Sequence, residues 1–288
     1  MKKVLLGVLI AIIVVILGAS AWLYTGKFNP AKAKVFKALS LPVALVKGSF
    51  IGSHEFLNRV ELAQLLAQSD PSFNSADTQG QILDQLIATA KLEIVAKSHN
   101  VTASQADIDD EYKAVVGQFA GGDEGKFTDM LNQAYHLMPD QFKAKVVQPD
   151  VLKTNLTIWF NQQQNLNQDA YNKQKDLLAK LDQGQAFDDV VKAYTQDEAT
   201  KDFGGDAGFI RLSQLSPEFR TALTNAKAGG RVNIVSRYGL HIVQVVDVDK
   251  TGSEPSYHIK QLYIKESDFD AWYNQQAGKI SSHKLIKL

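Results

Sequence analysis

The stretch Gly204-Gly205-Asp206-Ala207-Gly208-Phe209 and its flanks decide the fold. Upstream run Phe187-Asp-Asp-Val-Val-Lys-Ala-Tyr194 and Thr195-Gln196-Asp197; downstream come Leu215-Ser-Pro-Glu-Phe219, Gly229-Gly230 and Tyr238-Gly239-Leu240-His241-Ile242-Val243. Phe187, Val190, Val191 and Tyr194 recur at i, i+3, i+4 and i+7, the apolar stripe of one helix. Gly204, Gly205 and Gly208 mark a tight turn where side chains would obstruct the backbone. Ser216-Pro217-Glu218 reads as N-cap, N1 proline and first-turn acid. Phe219, Ala222, Leu223 and Ala226 form the core face of the helix it starts, and Gly229-Gly230 ends that helix. Val232 to Val235 and Leu240 to Val248, with a turn at Tyr238-Gly239, read as a strand pair.

In this order the pieces resemble the parvulin family of peptidyl-prolyl isomerases. The family's "dF..lA..yS.D" helix stands as Phe187 to Asp197, its "GGDlG" turn as Gly204 to Gly208, its "l.peFe.A" helix as Leu215 to Ala222 and its "yGyHii.v" strand as Tyr238 to Val245. The resemblance implies an apolar slot at Leu215 and Phe219, with Leu where the family usually has Met. It also implies a strand histidine at His241, the Asp/Cys position at Asp197 and a hydroxyl position at Tyr238. Each has a plainer reading beside it. Phe219 fits a helical core stripe, His241 fits a hydrogen-bonded core histidine, and Asp197 fits a turn cap. The family's opening strand, of the type "HILvK", has no match before Gln168. Leu156-Thr-Ile-Trp-Phe160 lacks the histidine and continues a helical stripe through Leu152, Leu156 and Trp159.

Further out, Met1-Lys2-Lys3 precedes an apolar run from Val4 to Tyr24, close to the ~20 residues a spanning helix needs. Lys2 and Lys3 would stay in the cytoplasm, which places the rest outside. The alternative is a signal peptide cleaved near Ala21, since Ala19-Ser20-Ala21 has the A-x-A form. Leu41 to Ile51 reads as two short strands about a Lys-Gly turn, with Ser53 capping the next helix. This resembles the opening of SurA-type and PrsA-type extracytoplasmic foldases. Leu83 to Ile94 and Ile108 to Phe119 carry further helical stripes, with a capping-box pattern at Thr102 to Gln105. Two more helical segments, broken near Pro139 and Pro149, lead to a polar connector at Asn161 to Gln168 that reads as the inter-domain joint. Ala120 to Lys126 fails the phosphate-loop pattern and reads as a solvated loop.

The expected fold class is therefore α+β. Residues 1–25 form a transmembrane signal anchor and 26–40 a juxtamembrane linker. Residues 41–165, completed by 266–288, form a helical chaperone-like domain, and 166–265 a parvulin-like domain with a four-stranded antiparallel sheet and helices. Ile280 to Leu288 reads as a strand returning to pair with Val43 to Ile51, as the resemblance to SurA also implies. Tyr257 to Lys265 alternates like a strand. Its end, Lys260-Gln261-Leu262-Tyr263-Ile264-Lys265, aligns with "rHILiK", so the opening strand is expected after the closing one, a circular permutation with Gln261 in the histidine's place. The alternative makes this segment a linker strand of the helical domain.

Lys plus Arg and Asp plus Glu both number 31, so no electrostatic ground exists for nucleic-acid binding. Absence of cysteine excludes disulfides, thiolate metal sites and a cysteine nucleophile. The six histidines, at 54, 99, 136, 241, 258 and 283, show no metal-type spacing, so neither metal nor cofactor is expected. The resemblance implies a membrane-anchored foldase that isomerises X-Pro bonds in unfolded or partly folded exported polypeptides, with Asp197, His241 and Gln261 catalytic and Leu215, Phe219 and Tyr238 gripping substrate. The alternative is a holdase whose parvulin-like domain only binds extended chains; the oligomeric state is left open.

Overall fold

The computed structural model describes residues 20–69 and 77–288. Most of the apolar run expected to span a membrane lies outside them, as does most of the loop expected after Pro71. Among the described residues no helix is long and apolar enough to cross a membrane. The chain divides into two compact units, one of residues up to Val151 with Asn274–Leu288, the other Leu152–Tyr273.

The first unit begins with α1 (Pro30–Leu39), capped by the Asn29 side chain with proline in its first turn. Residues 26–40 are thus no linker: Phe36 is fully buried and packs edge-on against Tyr24 and Phe28. Strands β1 (Pro42–Val46) and β2 (Ser49–Gly52) form a hairpin whose turn residues, Lys47 and Gly48, both have positive φ, as a tight two-residue turn requires. Helices α2 (Ser53–Ser69), α3 (Thr78–Ser98), α4 (Gln105–Ala120), α5 (Glu124–Tyr135) and α6 (Pro139–Phe142) follow.

Three local expectations differ from the fold. The Ser53 hydroxyl donates to the Phe36 carbonyl at 2.7 Å instead of capping α2. The capping box of α4 joins Ser104 and Asp107, not Thr102 and Gln105, because Ser104 is the last extended residue. Pro149 does not break its helix. A π-helical turn, Lys143–Val147, shifts the hydrogen-bond register just ahead of it. The missing proline N–H then falls in the first turn of α7 (Gln148–Gln162), where it costs little.

In the second unit α7 continues into α8 (Gln168–Asp182) and α9 (Phe187–Tyr194). The polar run 161–168, expected as the joint, lies within this unit because its asparagines serve buried backbone groups. Asn167 donates to the Phe160 carbonyl at 2.7 Å and Asn161 to that of Ser236 at 2.8 Å. Then come β3 (Asp206–Arg211), α10 (Pro217–Leu223), β4 (Arg231–Val235), β5 (Leu240–Asp249) and β6 (Ser256–Ile264). They form one antiparallel sheet in the order β3-β6-β5-β4. Leu240, Ile242, Leu262 and Ile264 face α8 and α9 through Leu177, Leu181, Val190 and Val191. Val243, Val245, Tyr257 and Ile259 face the other way, under Leu215 and Leu223. This two-sided burial follows from the period of two in both central strands.

The last elements are α11 (Phe269–Gly278) and β7 (Ser282–Lys284). Strand β7 pairs antiparallel with β1, Ala44 opposite Lys284 and Val46 opposite Ser282. That makes β1 the centre of a β2-β1-β7 sheet, with Val43, Ala44 and Val46 fully buried. Truncation after Lys279 should therefore expose an unpaired edge. We expect amide protection across Val43 to Ile51 to fall at least roughly ten-fold by hydrogen exchange; unchanged protection would contradict the closing role of β7.

Candidate active site

The site is built on β6. Gly205 has φ +77° and donates to the Thr200 carbonyl at 2.9 Å, while its own carbonyl accepts from Gln261 N–H at 2.9 Å. A Cβ at Gly205 would lie 2.1 Å from the Gln261 carbonyl oxygen, and one at Gly239 would lie 2.5 Å from that of Ile264. Both glycines are thus required by close approach to the same strand. The segment after α9 runs along it too. Gln196 N–H donates to the Tyr263 carbonyl at 3.0 Å, Tyr263 N–H to Thr195 Oγ1 at 3.1 Å, and Lys265 N–H to Gln196 Oε1 at 2.9 Å.

That docking brings Asp197 to Gln261, whose Nε2 donates to Asp197 Oδ2 at 3.2 Å. The same carboxylate closes its own turn, accepting from Thr200 Oγ1 at 2.7 Å and Ala199 N–H at 3.1 Å. In register, β5 sets His241 opposite Tyr263 and Val243 opposite Gln261. The His241 and Tyr263 rings lie 5.2 Å apart. His241 is 5% exposed and its Nε2 is joined to the Ser236 hydroxyl at 2.8 Å. Its Nδ1 is buried without a hydrogen-bond partner. Burial holds the imidazole down at about 4, against weaker upward pulls from Gln261 and Asp197. His241 is therefore neutral at physiological pH.

Over this cluster stands Phe219, its ring edge-on to His241 at 5.0 Å. Leu215, 9% exposed, and half-buried Phe219 both pack on the apolar face of the sheet. Ser216 sits at the N-cap position of α10 with Pro217 in its first turn, which fixes where Phe219 points. Five of the six residues named from the sequence thus share one face. Tyr238 does not join them: its exposed ring lies against Arg237 at 5.3 Å, and its backbone makes the local contacts. Three participants were not among the site residues expected from the sequence. Ser236 lies two residues before Tyr238, Thr195 occupies the serine of the family's "yS.D" motif, and Tyr263 is the period-two neighbour of Gln261.

A second titrating group lies at the end of β6. Burial raises the Glu266 carboxyl to about 7, and its Oε1 lacks a partner. Glu266 lines a cleft of about 510 Å³ with Asn161, Arg237, Tyr238 and Ser267.

Residues 1–154 match the family described as SurA-like N-terminal domain, and residues 137–249 match the PPIC-type PPIASE domain. The chain belongs to the parvulin-type foldases of the SurA/PrsA group. Its second unit carries the domain of a parvulin-type peptidyl-prolyl cis-trans isomerase. Foldase protein PrsA 2 of Bacillus cereus is 26% identical over 210 residues, spanning 72% of this chain and 70% of that protein. Chaperone SurA of Alkalilimnicola ehrlichii is 35% identical over 115 residues, 37% of this chain and 26% of that protein. The crystal structure of the peptidylprolyl isomerase PrsA from Bacillus anthracis matches at 19% identity over 67% of this chain and 86% of that one, with a TM-score of 0.22.

Two outcomes follow for this foldase. Gly205→Ala should destabilise the second unit by roughly 3 kcal/mol, since both φ and the Gln261 carbonyl oppose a side chain; a denaturation midpoint like wild type would refute the docking role. Acid stability has two opposing parts. His241 is depressed in the folded state, so its contribution is present above pH ~6.5 and is lost toward pH 4, by up to about 3 kcal/mol. Glu266 is raised, so its contribution is present below pH ~4.5 and is lost as pH rises through about 7, weakened by solvent screening. Glu266→Gln should therefore steepen the loss of stability between pH 7 and 4.5; an unchanged slope would show that the two do not offset.

Proposed function

We propose that the chain is a membrane-anchored extracytoplasmic foldase that catalyses cis-trans isomerisation of X-Pro bonds in exported polypeptides. The observation that carries this reading is Phe219 standing edge-on to His241 at 5.0 Å above buried Leu215, with Gln261 and Asp197 alongside. Rotation about a peptide bond faces a barrier of ~18–20 kcal/mol. Lowering it needs no nucleophile, only a grip on the proline ring and surroundings that favour the twisted amide over the planar one. Leu215 and Phe219 supply the grip. Neutral His241 and the Gln261 amide, oriented by Asp197, supply polar contact without bringing a charge into the slot. The apolar run Val4–Tyr24 supports the anchor, and the relatives named foldase and chaperone support unfolded clients.

On this reading the parvulin domain is circularly permuted, with β6 as its opening strand. Support comes from the antiparallel β5–β6 pairing, in which Leu262 faces Ile242 and Ile264 faces Leu240. The helical state of Leu156 to Phe160 supports it too, as does the family match ending at Asp249, ahead of β6. The same strand puts Gln261 where the family has histidine, and this favours the second reading, a holdase that binds extended chains without catalysis.

A proline-limited refolding reaction separates the two. The chain should accelerate the slow phase, and Phe219→Ala should reduce that effect by roughly ten-fold or more. Activity should stay flat between about pH 5.5 and 8, since His241 remains uncharged down to about 4 and Gln261 does not titrate. A slow phase indifferent to high concentrations of the chain would leave the holdase.

A further inference from the structure

Residues 1–54 contain seven lysines and no Asp or Glu, in a chain whose charges balance as a whole. The last ten residues add Lys279, Lys284 and Lys287, again without an acid. The fold of the first unit brings these two distant stretches together. Lys27 bridges Lys287, Phe28 N–H donates to the Lys287 carbonyl at 2.6 Å, and Lys47 N–H donates to the Ser281 carbonyl at 2.9 Å.

The lysines have different employments. Lys37 pairs with Glu61 at 2.7 Å and Lys284 with Asp84 at 2.8 Å. Lys32 is buried: its ammonium donates to the Thr25 carbonyl and stands 5.7 Å over the Trp22 ring. Lys27, Lys34, Lys47 and Lys287 are exposed and form no ion pair among the described residues. Trp22, near the end of the apolar run, is 49% exposed.

The chain also enters this unit without slack. Residues 20–24 are helical, and the carbonyls that follow are held by Lys32. The Tyr24 hydroxyl donates to the Pro42 carbonyl at 3.3 Å, and its ring packs on Phe36 at 5.3 Å. The fold is therefore fastened to the last residues of the apolar run Val4–Tyr24. If that run lies in a bilayer, Lys27, three residues past Tyr24, and Lys287, bridged to it, stand beside the headgroups, where their attraction to anionic lipid is not screened away. Exposed Trp22, two residues before Tyr24, suits the interface.

We propose that the lysine-rich end of the first unit, with Lys27 and Lys287 brought together beside the last residues of the apolar run, rests on an anionic lipid surface. This rests on the anchor reading of residues 4–24. The occupant is lipid phosphate presented by a bilayer, because the fastening at Tyr24 delivers this surface to one.

The full chain has no cysteine, so a single Leu288→Cys takes a fluorescent label beside Lys287 without removing a charge. The labelled chain is mixed with vesicles of phosphatidylcholine alone or with added phosphatidylglycerol, and quenching by neutral acrylamide is read. We expect roughly three-fold less quenching on the anionic vesicles, reversed by high salt and by combined Lys27→Gln and Lys287→Gln. Equal quenching on both vesicle types overturns the proposal, as does shielding by a soluble polyphosphate but not by anionic vesicles. Flotation with neutral vesicles reads the apolar run by itself. Failure there with shielding retained on anionic vesicles sinks the anchor and leaves the docking surface standing.

Discussion

Strand β6 is the constraint on which the isomerase unit depends, because separate segments direct their backbone hydrogen bonds to it. It pairs along its length with β5 on one side and, from Ser256 to Lys260, with β3 on the other. Gly205 and residues 195–196 then meet it at Gln261 and Tyr263. Gly239 passes so close to Ile264 that only a residue without Cβ fits. The glycine-rich turn, the segment after α9 and the turn before β5 are each remote in sequence from the residues of β6 they meet, and they share that single template. The spacing of the family's motifs is thus a consequence of one strand's geometry: each motif is a different segment's way of reaching the same backbone.

The chemistry of the site follows from where that strand sits. His241 faces Tyr263 on a central pair, so burial outweighs the nearby Asp197 carboxylate and keeps the ring neutral. A buried nitrogen without a partner costs about 1–3 kcal/mol, and His241 Nδ1 is such an atom. Apolar packing carries that cost, since Val243, Val245, Tyr257 and Ile259 lie on the same face under Leu215 and Leu223. Asp197 serves the fold and the site at once. Its turn hydrogen bonds fix the carboxylate, and the fixed carboxylate orients Gln261. The turn-cap and functional readings of this residue are therefore compatible.

Much of this was legible in the sequence because the signals were local. Helical stripes, proline at N1 and glycine turns report short-range geometry, and the order of four weak motifs identified the sheet. Gln261 was reachable by period two and by alignment to an opening strand missing from its usual place. The failures share a cause. Tyr238 reads as a pocket hydroxyl, yet its ring turns outward while Ser236, two residues earlier, meets His241. Alternation in a turn is no guide to direction. The polar run 161–168 reads as a joint, but its asparagines are buried to satisfy carbonyls at the end of α7 and at Ser236, the latter 75 residues from Asn161 and outside any local window. Residues 26–40 read as a linker because lysine is ordinarily solvated, whereas Lys32 is inside, bonded to backbone carbonyls.

Both units are closed by strands remote in sequence from what they close. Ala44 pairs with Lys284 in the first, and Asp206 with Lys260 in the second. Loop-closure entropy rises only with the logarithm of loop length, so inserting an entire unit between β2 and β7 adds little equilibrium cost. The cost falls on kinetics. The helices of the first unit hold local contacts and can form early, but β1 keeps an open edge until β7 arrives from the end of the chain. Burial of Val43, Ala44 and Val46 then rewards that late pairing with apolar area, so the closing strand can be as short as Ser282–Lys284 and still hold. A three-residue strand suffices here because it completes a core that the helices have already assembled.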